Sequence, residues 1–133
     1  MSRFQEHIQS SRRTGSIEFF IEERDENRVV GRMPVAEGML NPFGTVQAGA
    51  MLWLADVTAT VLAIGKTEIG DDGKGFPLAV DLHTTLLGNQ RGGEIRAEAR
   101  IVRRGSRVIV VRTAVTGEND RLLAEVTSTH IPA

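Results

Sequence analysis

There is no cysteine among the 133 residues, no tyrosine, and only one tryptophan. Without a thiol the chain can build no disulfide framework, no thiolate nucleophile and no cysteine-ligated zinc site, which fits a cytoplasmic protein. Five phenylalanines and one tryptophan supply no aromatic box for a ligand. Positive and negative side chains nearly cancel, to a net charge of −1, so no global field exists to hold nucleic acid or an anionic membrane. A long clean apolar run is missing as well. The longest, within Ala48 to Ile64, is interrupted by Asp56, Thr58 and Thr60, whereas a membrane span needs about 20 consecutive apolar residues. The N-terminal MSRFQEHIQSSRR lacks the apolar centre of a secretory signal.

What remains is the balance of a soluble globular domain, 41% hydrophobic and 25% charged. The length suits one domain over residues 1–133, with 1–14 as a short extension in which Phe4 and Ile8 are spaced for a turn or two of amphipathic helix. Two β-rich runs follow, Ile17 to Glu23 and Arg28 to Val35, separated by the polar RDEN of a hairpin turn. Pro34 suggests that the second run ends at an edge or a bulge.

A loop rich in Gly, Asn and Pro, AEGMLNPFGTVQAG, leads into a helix over about Ala48 to Lys66, with its stop marked by Gly65, Lys66 and Gly70. After TEIGDDGKG the period changes. PLAVDLHTTLL, GEIRAEARIVRR, SRVIVVRTAVTG and RLLAEVTSTHI are four strand-length runs bounded by Gly, Asn or Asp. In the second of these, Glu94, Arg96, Glu98 and Arg100 face one way, and Ile95, Ala97, Ala99 and Ile101 the other, so one face is wet and one is packed. A helix apolar all round must be enclosed on most sides. The fold class implied is α+β, a curved antiparallel sheet wrapped around one long central helix.

Asp56 is the one acidic residue of that helix. A carboxylate is rarely buried unless it is paired or has a task, because desolvating it costs several kcal/mol. It could accept backbone amides, face an arginine across an interface, or serve catalysis. Three spacings favour the latter. Thr60, four residues on, shares its helix face. GTVQAG opens the helix, so the free N–H groups of Ala48 and Gly49 and the positive end of the macrodipole lie beside small side chains. Asn41 and Gln47 add neutral hydrogen-bonding groups on the preceding loop. Together these make a candidate oxyanion site and a carboxylate two to three turns apart.

The series Asn41-Pro-Phe-Gly44-Thr-Val-Gln47-Ala-Gly49-Ala-Met-Leu-Trp-Leu-Ala-Asp56, continued through VDLHTTLLGNQRGGEIRAEARIVRRGSRVIVVRTAVTGENDRLLAEVTSTH, resembles the hotdog-fold acyl-CoA thioesterases of the phenylacetate-degradation and 4-hydroxybenzoyl-CoA type. The likeness runs from about Arg28 to His130. It implies that Asp56 attacks a thioester directly or activates water, with Thr60 as a helper one turn on. It further implies that Asn41 lies near the thioester and that the Ala48 backbone amide polarises its carbonyl. The usual His-Gly-Gly is Gln47-Ala48-Gly49 here, and glutamine cannot carry a proton.

The resemblance also implies a homodimer, or a tetramer made of two such dimers, with active sites at the subunit interface. Coenzyme A enters as part of the substrate, and no separate cofactor or metal is expected. Arg103, Arg104 and Arg107 flank a Gly-Ser turn, where one of them would meet the coenzyme A phosphates as well as a guanidinium can, against the plain reading of a solvated hairpin. Met51 and Trp53 read as core or dimer packing. His83 pairs with Asp81 on one strand face and reads as a wall or surface residue. His7 and His130 lie near the termini without ligand-like companions. The rivals are a non-hydrolytic acyl-CoA binding module and a hotdog enoyl-CoA hydratase. Too few residues precede Gly15 for the DNA-binding segment of a repressor of that fold, and Gln47 stands where a hydratase would want histidine.

Overall fold

The computed structural model describes residues 1–133. A capping box closes the start of α1 (Arg3–Ser10), with Ser2 and Gln5 bonded reciprocally. Next come β1 (Phe20–Arg24) and β2 (Arg28–Pro34), then the central helix α2 (Ala48–Ile64). The chain finishes with β3 (Pro77–Leu86), β4 (Glu94–Arg104), β5 (Ile109–Thr116) and β6 (Leu122–Pro132). All six strands form one antiparallel sheet in the order β1-β2-β4-β5-β6-β3. It curves around α2, the α+β hotdog arrangement expected. No helix is long and apolar enough to cross a membrane.

The sequence marks the ends of α2 well. Gly65 takes φ 54° at the C-cap, a left-handed backbone that glycine adopts without penalty. Ala50, Leu54, Thr58 and Leu62 are buried against the sheet. Two apolar clusters result, one around Met33, Leu54, Ile95 and Leu123, the other around Val29, Leu62, Ala99 and Val111. Removal of each such large side chain from water contributes about 1.5–3 kcal/mol. One tight approach between sheet and helix is at Gly31, where a β-carbon would stand 2.4 Å from the Thr58 Oγ1 and 3.3 Å from a Leu54 methyl.

One expectation needs correction. The first strand begins at Phe20 rather than Ile17; Phe19 instead packs edge-on against Trp53, with ring centroids 5.1 Å apart. β2 lies between β1 and β4, and at Pro34 it ends as a local edge. Pro34 is tolerated because β1 has already run out, its last partner being Arg32. Val35 N–H then reaches back to Gly93 on the β4 side, so the missing Pro34 donor points where no strand waits.

The alternation in β4 holds: Ile95, Ala97 and Ala99 are buried while Glu94, Arg96 and Glu98 stay partly wet. On that outer face Arg32 bridges Glu22 and Glu94 at 2.7 and 2.8 Å, and Arg28 pairs with Glu23 and Glu98. The hydrogen-bonded Arg28 holds the Glu98 carboxyl below the usual range, and Arg32 does the same for Glu22. Such surface pairs add little stability each, but they keep this face soluble.

Candidate active site

Gln47 is the N-cap of α2, yet its side chain makes no capping bond. Its amide reaches the Gly38 carbonyl at 3.4 Å while its backbone N–H is held by Met39 at 2.8 Å. The first intrahelical bonds come from Ala50 and Met51 to the Gln47 carbonyl. Ala48 and Gly49 are exposed, and their N–H groups precede any residue that can bond within the helix. The helix therefore starts with open donors at its positive end, as the sequence suggests.

Asn41 is committed largely to its own loop. Its Oδ1 accepts from the N–H groups of Phe43 and Thr45 at 3.0 and 3.1 Å, and its Nδ2 donates to the Thr45 hydroxyl at 2.9 Å. One amide hydrogen remains for a ligand. Neighbours fix the loop from outside: Asn89 donates to Thr45 at 2.9 Å, Arg91 to the Phe43 carbonyl at 2.9 Å and Arg13 to the Asn41 carbonyl at 3.2 Å. Even the N-terminal extension takes part, with His7 donating to the Pro42 carbonyl at 2.8 Å and Phe4 packing on Phe43. Gln90, which sequence reasoning passed over, is the staple behind this end. It is 8% exposed and bonds to Gly92, Glu94 and Glu118 through its side-chain amide.

Along α2, Gly49, Trp53, Asp56 and Thr60 lie on one stripe that the sheet does not fully cover. Asp56 makes no ion pair in the protomer, and its Oδ1 is buried without a hydrogen-bond partner. Beneath the helix two more hydroxyls are buried and unpartnered, Thr84 Oγ1 on β3 and Thr113 Oγ1 on β5. Both residues pair with Val126 of β6, from opposite sides, so they lie in one row on the helix-facing side of the sheet. A buried polar atom without a partner costs roughly 1–3 kcal/mol.

His130 is fully buried, and its Nε2 lies 2.8 Å from the Ser128 hydroxyl, which is fully buried too. Nothing in the sequence alone signals this, because it depends on β6 lying between β5 and β3. His83 and Asp81 are exposed on β3 as expected of surface residues. No group of three or more histidine, aspartate or glutamate side chains is gathered for a metal.

The three arginines separate. Arg104 donates to the Leu62, Ala63 and Glu26 carbonyls at 3.0, 3.1 and 3.2 Å, so it caps the C-terminus of α2. Arg103 and Arg107 are exposed and flank an open cleft of about 450 Å³. Arg104→Ala is therefore expected to lower stability by about 1–3 kcal/mol, as befits lost charge-assisted bonds to helix-end carbonyls. Its signature is a fall in denaturant midpoint with the KM for an acyl-CoA unchanged. A raised KM without loss of stability would reverse that assignment.

A cleft of about 640 Å³ lies behind the Asn41 loop against Thr45, Asn89, Arg91 and Arg121; no hydrophobic residue lines it, and Asp56 is not among its walls. A sequence profile of the thioesterase superfamily matches residues 43–124, from the Asn41 loop through α2 to β6. The chain belongs to the thioesterase superfamily. A curated relative from Deinococcus radiodurans, called "Putative esterase", is 35% identical over 94 residues, 71% of this chain and 57% of its own length. The thioesterase-superfamily chain thus spans little more than half the length of that relative. Among solved structures it is similar to a hypothetical protein of Staphylococcus aureus at 22% identity and TM-score 0.78, with 86% of this chain and 93% of that one covered. A thioesterase of Haemophilus influenzae gives 21% identity and TM-score 0.77, covering 85% and 76%. A hypothetical thioesterase of Streptococcus pneumoniae, solved with coenzyme A, gives 17% and 0.75, covering 87% and 86%. These similarities support the hotdog fold.

Proposed function

We propose that this thioesterase-superfamily chain hydrolyses an acyl-CoA thioester to the free acid and coenzyme A, with Asp56 as nucleophile or general base. One observation carries the reading: an unpaired, half-buried carboxylate and open helix-start amides share one uncovered stripe of an otherwise apolar helix. A thioester carbonyl bound by the Ala48 or Gly49 N–H would have its developing oxyanion stabilised there. As base, Asp56 takes a proton from water while the water oxygen attacks the carbonyl carbon; the C–S bond then breaks and the thiolate recovers the proton. As nucleophile, it forms a mixed anhydride that water cleaves. Thr60 would orient the carboxylate or the water, and Asn41 and Gln47 would steady the thioester. Arg103 and Arg107 are the free guanidinium groups suited to the coenzyme A phosphates, and the coenzyme A in the Streptococcus pneumoniae structure supports that substrate class.

A homodimer completes this picture. Asp56 and Ala48 are about 12 Å apart along the helix, whereas reacting atoms must meet at about 3 Å, which favours one subunit's loop facing the partner's carboxylate. The outer edge of the sheet is β3, with no strand beyond it, and Leu78, Val80, Leu82 and Leu86 on it are all exposed. A long apolar edge strand is a template for pairing. Leu82→Glu should therefore halve the particle mass in light scattering and abolish turnover together; a variant that keeps both the mass and the rate removes the dimer from the proposal. The function itself is tested by thiol release from short, aryl and long acyl-CoAs, and a protein that releases none is not this enzyme. A non-hydrolytic binding module would bind those esters without releasing thiol. The hydratase reading fits less well, because His83 is exposed and neighbours Asp81 rather than Asp56, and Gln47 cannot transfer a proton.

A further inference from the structure

Residues 1–15 precede the sheet, and the three side-chain hydrogen bonds that leave them all end between Glu37 and Pro42, on the loop that carries Asn41. α1 buries no side chain, and eight residues make too short a helix to persist alone in water, so its order depends on that loop. The edge of Phe4 lies against the Phe43 ring, centroids 5.2 Å apart, and His7 Nε2 donates to the Pro42 carbonyl at 2.8 Å. Beyond the helix the chain crosses Gly38 in close contact. A β-carbon there would stand 2.9 Å from the Gly15 carbonyl oxygen, so the missing side chain is what admits the crossing. The Gly38 carbonyl in turn accepts from the Gln47 side-chain amide.

Between these two grips sits Arg13. One arm of its guanidinium donates to Glu37 at 2.6 Å and the other to the Asn41 carbonyl at 3.2 Å, a planar fork that fixes two points at once. Its Nε is buried with no partner, a cost that a freely solvated arginine would not bear. The Asn41 carbonyl also closes its turn by accepting from the Gly44 N–H at 2.9 Å, and the Asn41 side chain accepts from Phe43 and Thr45. Asn89 and Arg91 hold the same turn from the sheet side. We propose that Arg13 is a positioning residue for Asn41: residues 4–15 form a strap over the loop, and the guanidinium fork sets where the one free Asn41 amide hydrogen points toward a bound thioester. The inference rests on the hydrolytic reading of the site. Because the Glu37 partner is largely exposed, the ion pair adds little to global stability. Its effect falls on loop geometry, where a displacement of about 1 Å costs about 100-fold in rate.

The test compares full-length Arg13→Ala with the wild type and with Arg12→Ala, which removes the same charge from an exposed neighbour. With an acyl-CoA as substrate, Arg13→Ala is expected to lower kcat by about 10–100-fold while KM and melting temperature stay close to those of the wild type, and Arg12→Ala should leave all three unchanged. An unchanged kcat in Arg13→Ala overturns the proposal. So does a rise in KM shared by both variants, which would be a plain charge effect on the anionic substrate. Amide hydrogen exchange reads the loop itself. In Arg13→Ala the N–H groups of Phe43, Gly44 and Thr45, which close the turn on Asn41, should exchange about tenfold faster or more, with those of β4, β5 and β6 unaltered. Unaltered exchange at the turn also overturns the strap. If the wild type releases no thiol from any acyl-CoA, the hydrolase reading fails and the catalytic role of Arg13 fails with it, whereas an active wild type with an equally active Arg13→Ala refutes the positioning role alone.

Discussion

Asp56→Asn is expected to lower kcat for an acyl-CoA by 10²–10⁴-fold, the usual worth of a positioned general base, or more if the carboxylate is the nucleophile. The fold should survive and gain. The wild-type carboxylate has a buried Oδ1 with no partner, and exchanging an unpaired charge for a neutral amide removes part of its desolvation cost, so the denaturant midpoint should rise by the equivalent of about 1–2 kcal/mol. Rate and stability moving in opposite directions is the signature of a group retained for chemistry. If the variant matches the wild type in thiol release at equal folding, the catalytic assignment of Asp56 fails. If it loses both activity and stability, Asp56 is a structural acceptor.

Gly31→Ala is expected to destabilise the fold strongly for a single added methyl. The new β-carbon would sit 2.4 Å from Thr58 Oγ1, which is itself buried and bonded to the Leu54 carbonyl at 2.7 Å, so the hydroxyl cannot swing away freely. Either β2 withdraws from α2 or the Thr58 bond breaks. Overpacking of this kind costs about 1–3 kcal/mol, occasionally more, to which an orphaned hydroxyl adds its own penalty. Thermal unfolding should show a drop of roughly 5–15 °C for a domain of this size. Thr58→Ala made in the same chain removes the obstructing oxygen, and a double-mutant cycle should return at least 1 kcal/mol of coupling. Additive losses would mean that the two residues do not share the space.

What the sequence makes legible is what depends on neighbours in the chain. Gly65 as the helix stop, the two faces of β4 and the open start of α2 at Ala48 and Gly49 all follow from local chemistry, and the structure has them. The turn at Asn119 and Asp120, both with positive φ, is readable in the same way, since those residues tolerate the left-handed region. What it hides depends on strand order. β3 pairs with β6 and not with β4, and that choice alone brings Pro77 to His130 and buries the imidazole under α2. Arg104 gives a similar lesson: in the sequence it is one of three hairpin arginines, and only the curl of the sheet carries it to the Leu62 and Ala63 carbonyls. Gln90 is hidden for the same reason, because its partners at Val46 and Glu118 come from distant stretches of chain.

The two ends of the sheet are unlike, and that sets how the molecule can grow. β1 is five residues long, carries a bulge between Ile21 and Glu23, and ends in Glu22, Glu23 and Arg24. Short, irregular and charged edges refuse another strand. β3 is twice as long, ten residues, and exposes Leu78, Val80, Leu82 and Leu86, although it too has a bulge, between Ala79 and Asp81. The homodimer proposed above would place β3 against β3, where a two-fold axis closes the contact at once. A β1-to-β3 contact would be heterologous and open to rings or filaments, and under that proposal the short, charged β1 would act as a terminator against it.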